Sequence, residues 1–165
     1  MNPTNPFEID LERRPSNYQP LTPLTLLERS AGIYRDKTAI IHGSQRISYK
    51  DFWHRSCRLA SALSRRGIGR GDTVSVMAPN IPQLLEAHLG VPMSGAVLNA
   101  LNMRLDGVTI RHILDHGEAK VLITDTEFAP VIREALSSSN KKPLVIDIDD
   151  PEGDGGEKLG SLDYE

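Results

Sequence analysis

From Asp72 onward, short apolar runs alternate with stretches of helical periodicity, and this alternation limits the fold more than any other feature of the sequence. Residues 73–77, 96–99, 121–124 and 144–147 are β-branched or apolar runs too short for helices, and read as strands. Between them, Ile81, Leu84, Leu85, His88 and Leu89 recur at helical spacing and predict a helix over 81–93. Asp106 is suited to cap a helix over 106–116, with Leu105 and Ile110 as a staple pair. Phe128, Val131, Ile132, Ala135 and Leu136 mark another over 127–138. Strand and helix alternating with short connections make βαβ units, whose crossovers are right-handed. The fold class is therefore α/β, a mostly parallel sheet with flanking helices.

The upstream half is organised differently. Residues 1–20 hold four prolines and read as an extended N-terminal arm. Thr22 then offers an N-cap, Pro23 an N1 proline and Leu21 with Leu26 a staple, followed by Leu27, Ala31 and Tyr34 along one face. Residues 38–42 and 45–49 form a short β-hairpin pattern around Gly43-Ser44, which suits a type II′ turn. Ser48 starts a second helix, with Asp51 at N3, an Ile47/Phe52 staple, and Trp53, Cys57, Ala60 and Leu63 on its apolar side. Gly67 stands where the left-handed C′ residue belongs. After Asp147 the pattern stops, and residues 149–165 read as an acidic, glycine-rich loop and an unfinished end. The expected organisation is an arm over 1–20, a partial α/β domain over 21–148 and that loop over 149–165.

The totals exclude several functions. Hydrophobic residues are 39% of the 165 and charged residues 25%, as in a soluble globular chain, and the net charge is −3. Nucleic-acid binding needs a concentrated basic surface. Here Arg65, Arg66 and Arg70 merely cluster at a predicted helix end, where cations suit the dipole. Cys57 is the sole cysteine, so an internal disulfide is excluded. The polar, proline-broken N-terminus has no apolar leader, and no window of about 18 apolar residues predicts a membrane span. The default compartment is cytoplasmic.

Several residue groups suggest chemistry, and each has a plainer explanation. Gly67, Gly69 and Gly71 follow a helix and precede a strand, the reverse of a dinucleotide loop, so a helix stop and turn is preferred. His112 and His116 share a helical face near Asp115 and Glu118, but lack a third well-placed ligand and read as surface histidines. Asp150, Glu152, Asp154 and Gly155 resemble the start of a calcium loop, but Ser161 stands where the closing Glu is needed, leaving a solvated loop. His54 and Cys57 are a turn apart, with Cys57 on the apolar stripe as an inert buried thiol. His88, on an apolar face, reads as a hydrogen-bonded core histidine.

The ordered motifs Pro20-Leu21-Thr22-Pro23-Leu24-Thr25-Leu26-Leu27-Glu28-Arg29, Ile47-Ser48-Tyr49-Lys50-Asp51-Phe52 and Gly71-Asp72-Thr73-Val74-Ser75-Val76-Met77-Ala78-Pro79-Asn80 continue into a long segment, residues 86–99. With Asn102-Met103-Arg104-Leu105 and residues 118–123, they resemble the N-terminal region of adenylate-forming, AMP-binding acyl-CoA synthetases, in the medium-chain or fatty-acyl branch. Asp51 stands where that family usually has Glu. The resemblance implies an N-terminal fragment of an ATP-dependent acyl-CoA ligase, with ATP, Mg and CoA used by the complete enzyme and a carboxylic acid as substrate. It places the phosphate loop, acyl pocket and C-terminal lysine domain beyond Glu165. The segment Ser137-Ser138-Ser139-Asn140-Lys141-Lys142-Pro143 has no glycine and does not substitute for the phosphate loop. No catalytic, cofactor-binding or metal residue is assigned, and His88, Asn102 and Arg104 are given to structure. The chain alone is expected to be inactive, and to self-associate or bind a complementary C-terminal fragment. The alternative is a stand-alone, non-catalytic module that binds or regulates a longer ligase.

Overall fold

A computed structural model describes residues 14–165. The predicted arm therefore lies largely outside the described residues; residues 14–20 hold a turn in which the Asn17 and Tyr18 N–H groups donate to the Arg14 carbonyl.

Among the described residues, five parallel strands form the main sheet. In chain order they are β3 (Thr73–Met77), β4 (Val97–Ala100), β5 (Ala119–Asp125), β6 (Leu144–Ile148) and β7 (Leu162–Asp163), arranged β4-β3-β5-β6-β7. Side chains alternate across the sheet. Val74, Val76, Val121, Ile123, Ile146 and Ile148 face one layer, formed by α2 (Tyr49–Arg65) and α3 (Pro82–Met93). Met77 and Leu122 face the other, formed by α4 (Gly107–His116) and α5 (Ala129–Ser137). Covering both faces is what makes these strands nearly continuous apolar runs. Each fully buried Val, Leu or Ile contributes about 1.5–3 kcal/mol. A further layer lies over α2 and α3. There α1 (Pro23–Ile33) and the antiparallel hairpin of β1 (Thr38–His42) and β2 (Gln45–Ser48) pack Leu27, Ala39, Ile40 and Ile47 against Phe52 and Leu89.

Local chemistry sets most boundaries. Thr22 and Thr25 close a reciprocal capping box on α1, Ser48 accepts the Asp51 N–H on α2, and Asp106 accepts that of Thr109 on α4. Gly43 has φ +51° while Ser44 stays negative, the φ signs of a II′ turn. At the end of α2, Gly67 adopts φ +76°. Its N–H donates to the Ser64 carbonyl and that of Ile68 to the Leu63 carbonyl. This is a Schellman stop with its hydrophobic partners, Leu63 and Ile68, both buried.

Two expectations fail. Leu21 is 85% exposed and Leu26 48%, so they form no buried staple; Leu24 and Leu27 point to the core instead. The buried face of α2 carries Phe52, Ser56 and Leu63, with Leu59 against the core, one position out of phase with Trp53, Cys57 and Ala60. Ser56 fits there because its hydroxyl donates to the Phe52 carbonyl within the helix.

Candidate functional site

In a parallel α/β sheet, ligands bind beyond the carboxyl ends of the strands, where the strand order reverses. Here β4 and β5 flank β3 on opposite sides, so Ala78–Asn80, Leu101–Asn102 and Asp125–Thr126 border that position. Asp125 and Thr126 are buried there, whereas Asn80 and Asn102 are exposed. Asp125 ends β5 and accepts the Glu127 N–H through Oδ1, while its Oδ2 and the Thr126 hydroxyl are buried without a hydrogen-bond partner. Burial, then repulsion from Asp150 and Asp149, pushes the Asp125 carboxyl above the usual carboxylate range against the opposing Glu127 N–H. Asp150, 6% exposed, meets His42 Nε2 at 3.0 Å and fastens the hairpin to the segment after β6. Among the described residues, no three His, Cys, Asp or Glu side chains converge in a way that could hold a metal ion.

A second polar cluster joins α2, α3 and β7. Glu86 is fully buried, yet accepts from Arg55 Nε at 2.5 Å and from the Tyr164 hydroxyl at 3.0 Å. The two Nη groups of Arg55 form a fork on Glu165, at 2.9 and 2.5 Å. Burial raises the Glu86 carboxyl above its ordinary range despite Arg55 and Tyr164. Burial also raises the Tyr164 phenol, and the bond to Glu165 raises Arg55. Sequence reasoning missed this cluster, whose members lie 31 and 78 positions apart. The one legible signal was a glutamate inside a helix apolar on every side.

The groups singled out in the sequence fall elsewhere. Gly67, Gly69 and Gly71 form the turn after α2, where Asp72 accepts the Gly69 N–H and pairs with Lys120 at 2.6 Å. Arg65, Arg66 and Arg70 are exposed, and Arg66 bonds the Ala62 carbonyl of its own helix. His112 and His116 stack in the open, with ring centroids 5.7 Å apart. Asp115 holds the 139–141 loop instead, accepting from Ser139 Oγ at 2.7 Å, and Glu118 pairs with Lys141. In the calcium-like run, Asp150 is buried against His42, whereas Glu152, Asp154, Gly155 and Ser161 are exposed. His54 is exposed. Cys57 is only partly buried, its thiol raised by burial and by Glu28. His88 is exposed rather than in the core, and its Nδ1 bonds the Leu84 carbonyl one turn back at 2.8 Å. Asn102 and Arg104 are exposed, with Asn102 Oδ1 accepting the Arg104 N–H.

Residues 27–163 match the family described as AMP-binding enzyme. A peroxisomal acetate/butyrate–CoA ligase of Arabidopsis thaliana is 44% identical over 86% of the chain, which covers 26% of that protein. An acetate–CoA ligase of Humulus lupulus is 41% identical over 94% of the chain and 30% of its own length. The crystal structure of an anthranilate CoA ligase in complex with anthranoyl-AMP superposes with TM-score 0.77 over 86% of the chain and 26% of its own, at 21% identity, a likeness of fold. The chain thus spans less than a third of the length of the curated relatives it matches.

Proposed function

The chain belongs to the AMP-binding enzyme family, and we infer that it supplies the N-terminal scaffold of an ATP-dependent acyl-CoA ligase. The observation that carries this reading is the pairing of 44% identity with coverage of only 26% of a ligase. The complete protein would convert a carboxylate, ATP and CoA to acyl-CoA, AMP and pyrophosphate. A carboxylate oxygen attacks the α-phosphorus of ATP and pyrophosphate leaves; the CoA thiolate then attacks the acyl carbon and AMP leaves. Such chemistry rests on cations and donors placed around the phosphates. The described residues offer neither a phosphate loop nor a convergent metal-ligand set. No step is assigned to any of them, and ATP, Mg and CoA belong to the complete protein. The motifs between Pro20 and Ile123 resemble the medium-chain or fatty-acyl branch, while relatives are named for acetate, butyrate, cinnamate and benzoate, so the substrate proposed is a carboxylic acid of unspecified chain.

The purified chain should therefore show no carboxylate-dependent ATP–pyrophosphate exchange. Co-expression with the part of a relative that the chain does not cover, about 70% or more of its length, should restore it. Exchange by the chain alone, above a boiled control and surviving repurification, would overturn this reading.

The edge of the sheet bears on partners. Among the described residues, strand β4 is unpaired on its outer side and lacks charge, and its Val97 is 55% exposed; farther along the chain, Met103 and Val108 are 42% and 61% exposed. Uncharged apolar edges invite pairing, so the isolated chain should self-associate or take up a complementary C-terminal fragment. The second reading, a stand-alone module that binds or regulates a longer ligase, draws support from β7, which extends the sheet and is anchored by buried groups. Light scattering separates the two, because a monodisperse monomer with cooperative unfolding favours the module. The lone cysteine fits the cytoplasm, while a relative named peroxisomal supplies the competing compartment; among the described residues no helix is long and apolar enough to cross a membrane. Fractionation of cells expressing the chain distinguishes the compartments.

A further inference from the structure

We propose that residues 159–165 form a strap that docks and undocks as one unit, forming one wall of an open groove between α2 and the edge of the sheet, with buried Asp147 and Glu86 as its two latches. The strap follows an exposed loop, residues 151–158, that contains Gly153, Gly155 and Gly156. At its start, the N–H groups of Leu159 and Gly160 donate to the two oxygens of Asp147, which is 1% exposed, at 3.1 and 2.7 Å. Gly160 passes so close to β6 that a Cβ there would lie 2.3 Å from the Val145 carbonyl oxygen. In the middle, Leu162 and Asp163 pair with Ile146 and Asp147, and the Tyr164 N–H reaches the Asp147 carbonyl at 2.9 Å. At its end, the Tyr164 hydroxyl reaches Glu86, while Glu165 takes the Arg55 fork and the Gln83 amide. Leu159 packs against the core on one face of the sheet, and Leu162 and Tyr164 against the core on the other. The strap thus straddles the edge and is fixed at both ends.

Two buried carboxylates directed at one seven-residue segment are more than a two-residue strand needs for pairing. On undocking, Asp147 gives up the Leu159 and Gly160 N–H groups, and Glu86 keeps Arg55 but gives up the Tyr164 hydroxyl, so each latch favours the docked state. Beside the strap lies an open groove of about 270 Å³, bordered by Leu59, Leu63, Ile146, Leu162 and Tyr164, with Arg58 and Arg66 at its rim. Undocking would bare that apolar wall and free both the Arg55 fork and the outer edge of β6. The loop before the strap gives it a hinge, since Gly155 holds φ +67° and residues 151–158 are exposed.

Hydrogen exchange read by mass spectrometry on the full chain tests the device. In the wild type, peptides covering 159–165 should exchange with a single common protection, below that of peptides from β3 and β5. Tyr164→Phe removes one hydroxyl and leaves the Arg55–Glu86 pair intact; it should raise exchange across all of 159–165 about tenfold while β3 and β5 stay unchanged. Asp147→Asn should do the same from the other end, which shows that the segment moves as one. Unchanged exchange in both variants would overturn the proposal. So would loosening confined to the residues next to each substitution, or acceleration of the whole sheet to the same extent.

Discussion

Gly90 lies where α3 crosses α2. It is buried, and a Cβ added to it would stand 2.8 and 3.0 Å from Leu59 side-chain atoms and 2.9 Å from the Ser56 carbonyl oxygen. The Leu59 tip can rotate, but the carbonyl belongs to the α2 backbone, so Gly90→Ala must push the helices apart. Overpacking of this kind costs typically about 1–3 kcal/mol, and a contact against backbone belongs at the upper end. Replacing a mid-helix glycine by alanine returns about 1 kcal/mol of helix propensity, leaving a net loss of about 2 kcal/mol. The control is Gly32→Ala in α1, where a Cβ would meet nothing within 4 Å. There the propensity gain acts alone, and stability should rise by about 0.5–1 kcal/mol. Urea unfolding followed by circular dichroism gives both differences, and thermal scans should place the Gly90 variant roughly 4–8 °C lower. A Gly90→Ala chain more stable than the wild type would refute the steric reasoning, since the propensity term would then act unopposed at both sites.

Ser48→Ala removes the hydroxyl that accepts the Asp51 N–H at 3.1 Å and donates to the Asp51 carboxylate at 2.7 Å; a loss of about 1 kcal/mol is expected in urea unfolding. Gly67→Ala puts a Cβ at φ +76° in otherwise open space, so the cost of about 1–2 kcal/mol comes from the backbone alone; Gly67→Asn should cost less, because asparagine tolerates that region better. For Asp125, the folded carboxyl lies above its unfolded value, so its contribution to stability is greatest at low pH and is lost as pH rises through the folded value. Asp125→Asn keeps an acceptor for the Glu127 N–H, and its stability advantage over the wild type should shrink as pH falls from neutrality through the raised folded value toward the ordinary carboxylate range; a pH-independent difference contradicts the assignment. The Cys57 thiol, raised by burial and Glu28, should react with a disulfide reagent more slowly in the folded chain than in urea at the same pH.

What the sequence disclosed depended on the range of the interactions involved. Caps, turns and strands are decided within a few residues, and the predicted strands at 73–77, 96–99, 121–124 and 144–147 lie within two residues of the observed ends. The central strand β5 is the longest because neighbours on both sides extend its ladder, a fact its own letters do not contain. The face of α2 was misplaced by one position because Ser56 satisfies its own hydroxyl and so passes for an apolar residue, whereas Cys57 and Trp53 look more hydrophobic than their surroundings require. His88 was misread for a related reason. Helix α3 is apolar nearly all round, so its letters do not say which side meets water, and the sides are settled by α2, the hairpin and the sheet.

The buried cluster follows from the same limit. Glu86 sits in that helix as the one charge able to break its apolar surface, and its presence is consistent only if a cation and a donor arrive from elsewhere. The cation, Arg55, comes from the preceding helix; the donor, Tyr164, comes from 78 positions downstream, just after a strand of two residues that has no periodicity to read. A single glutamate in such a helix therefore signals a long-range partner before that partner can be named. The strap is the point at which local pattern ends and a non-local hydrogen-bond requirement sets the position of the chain.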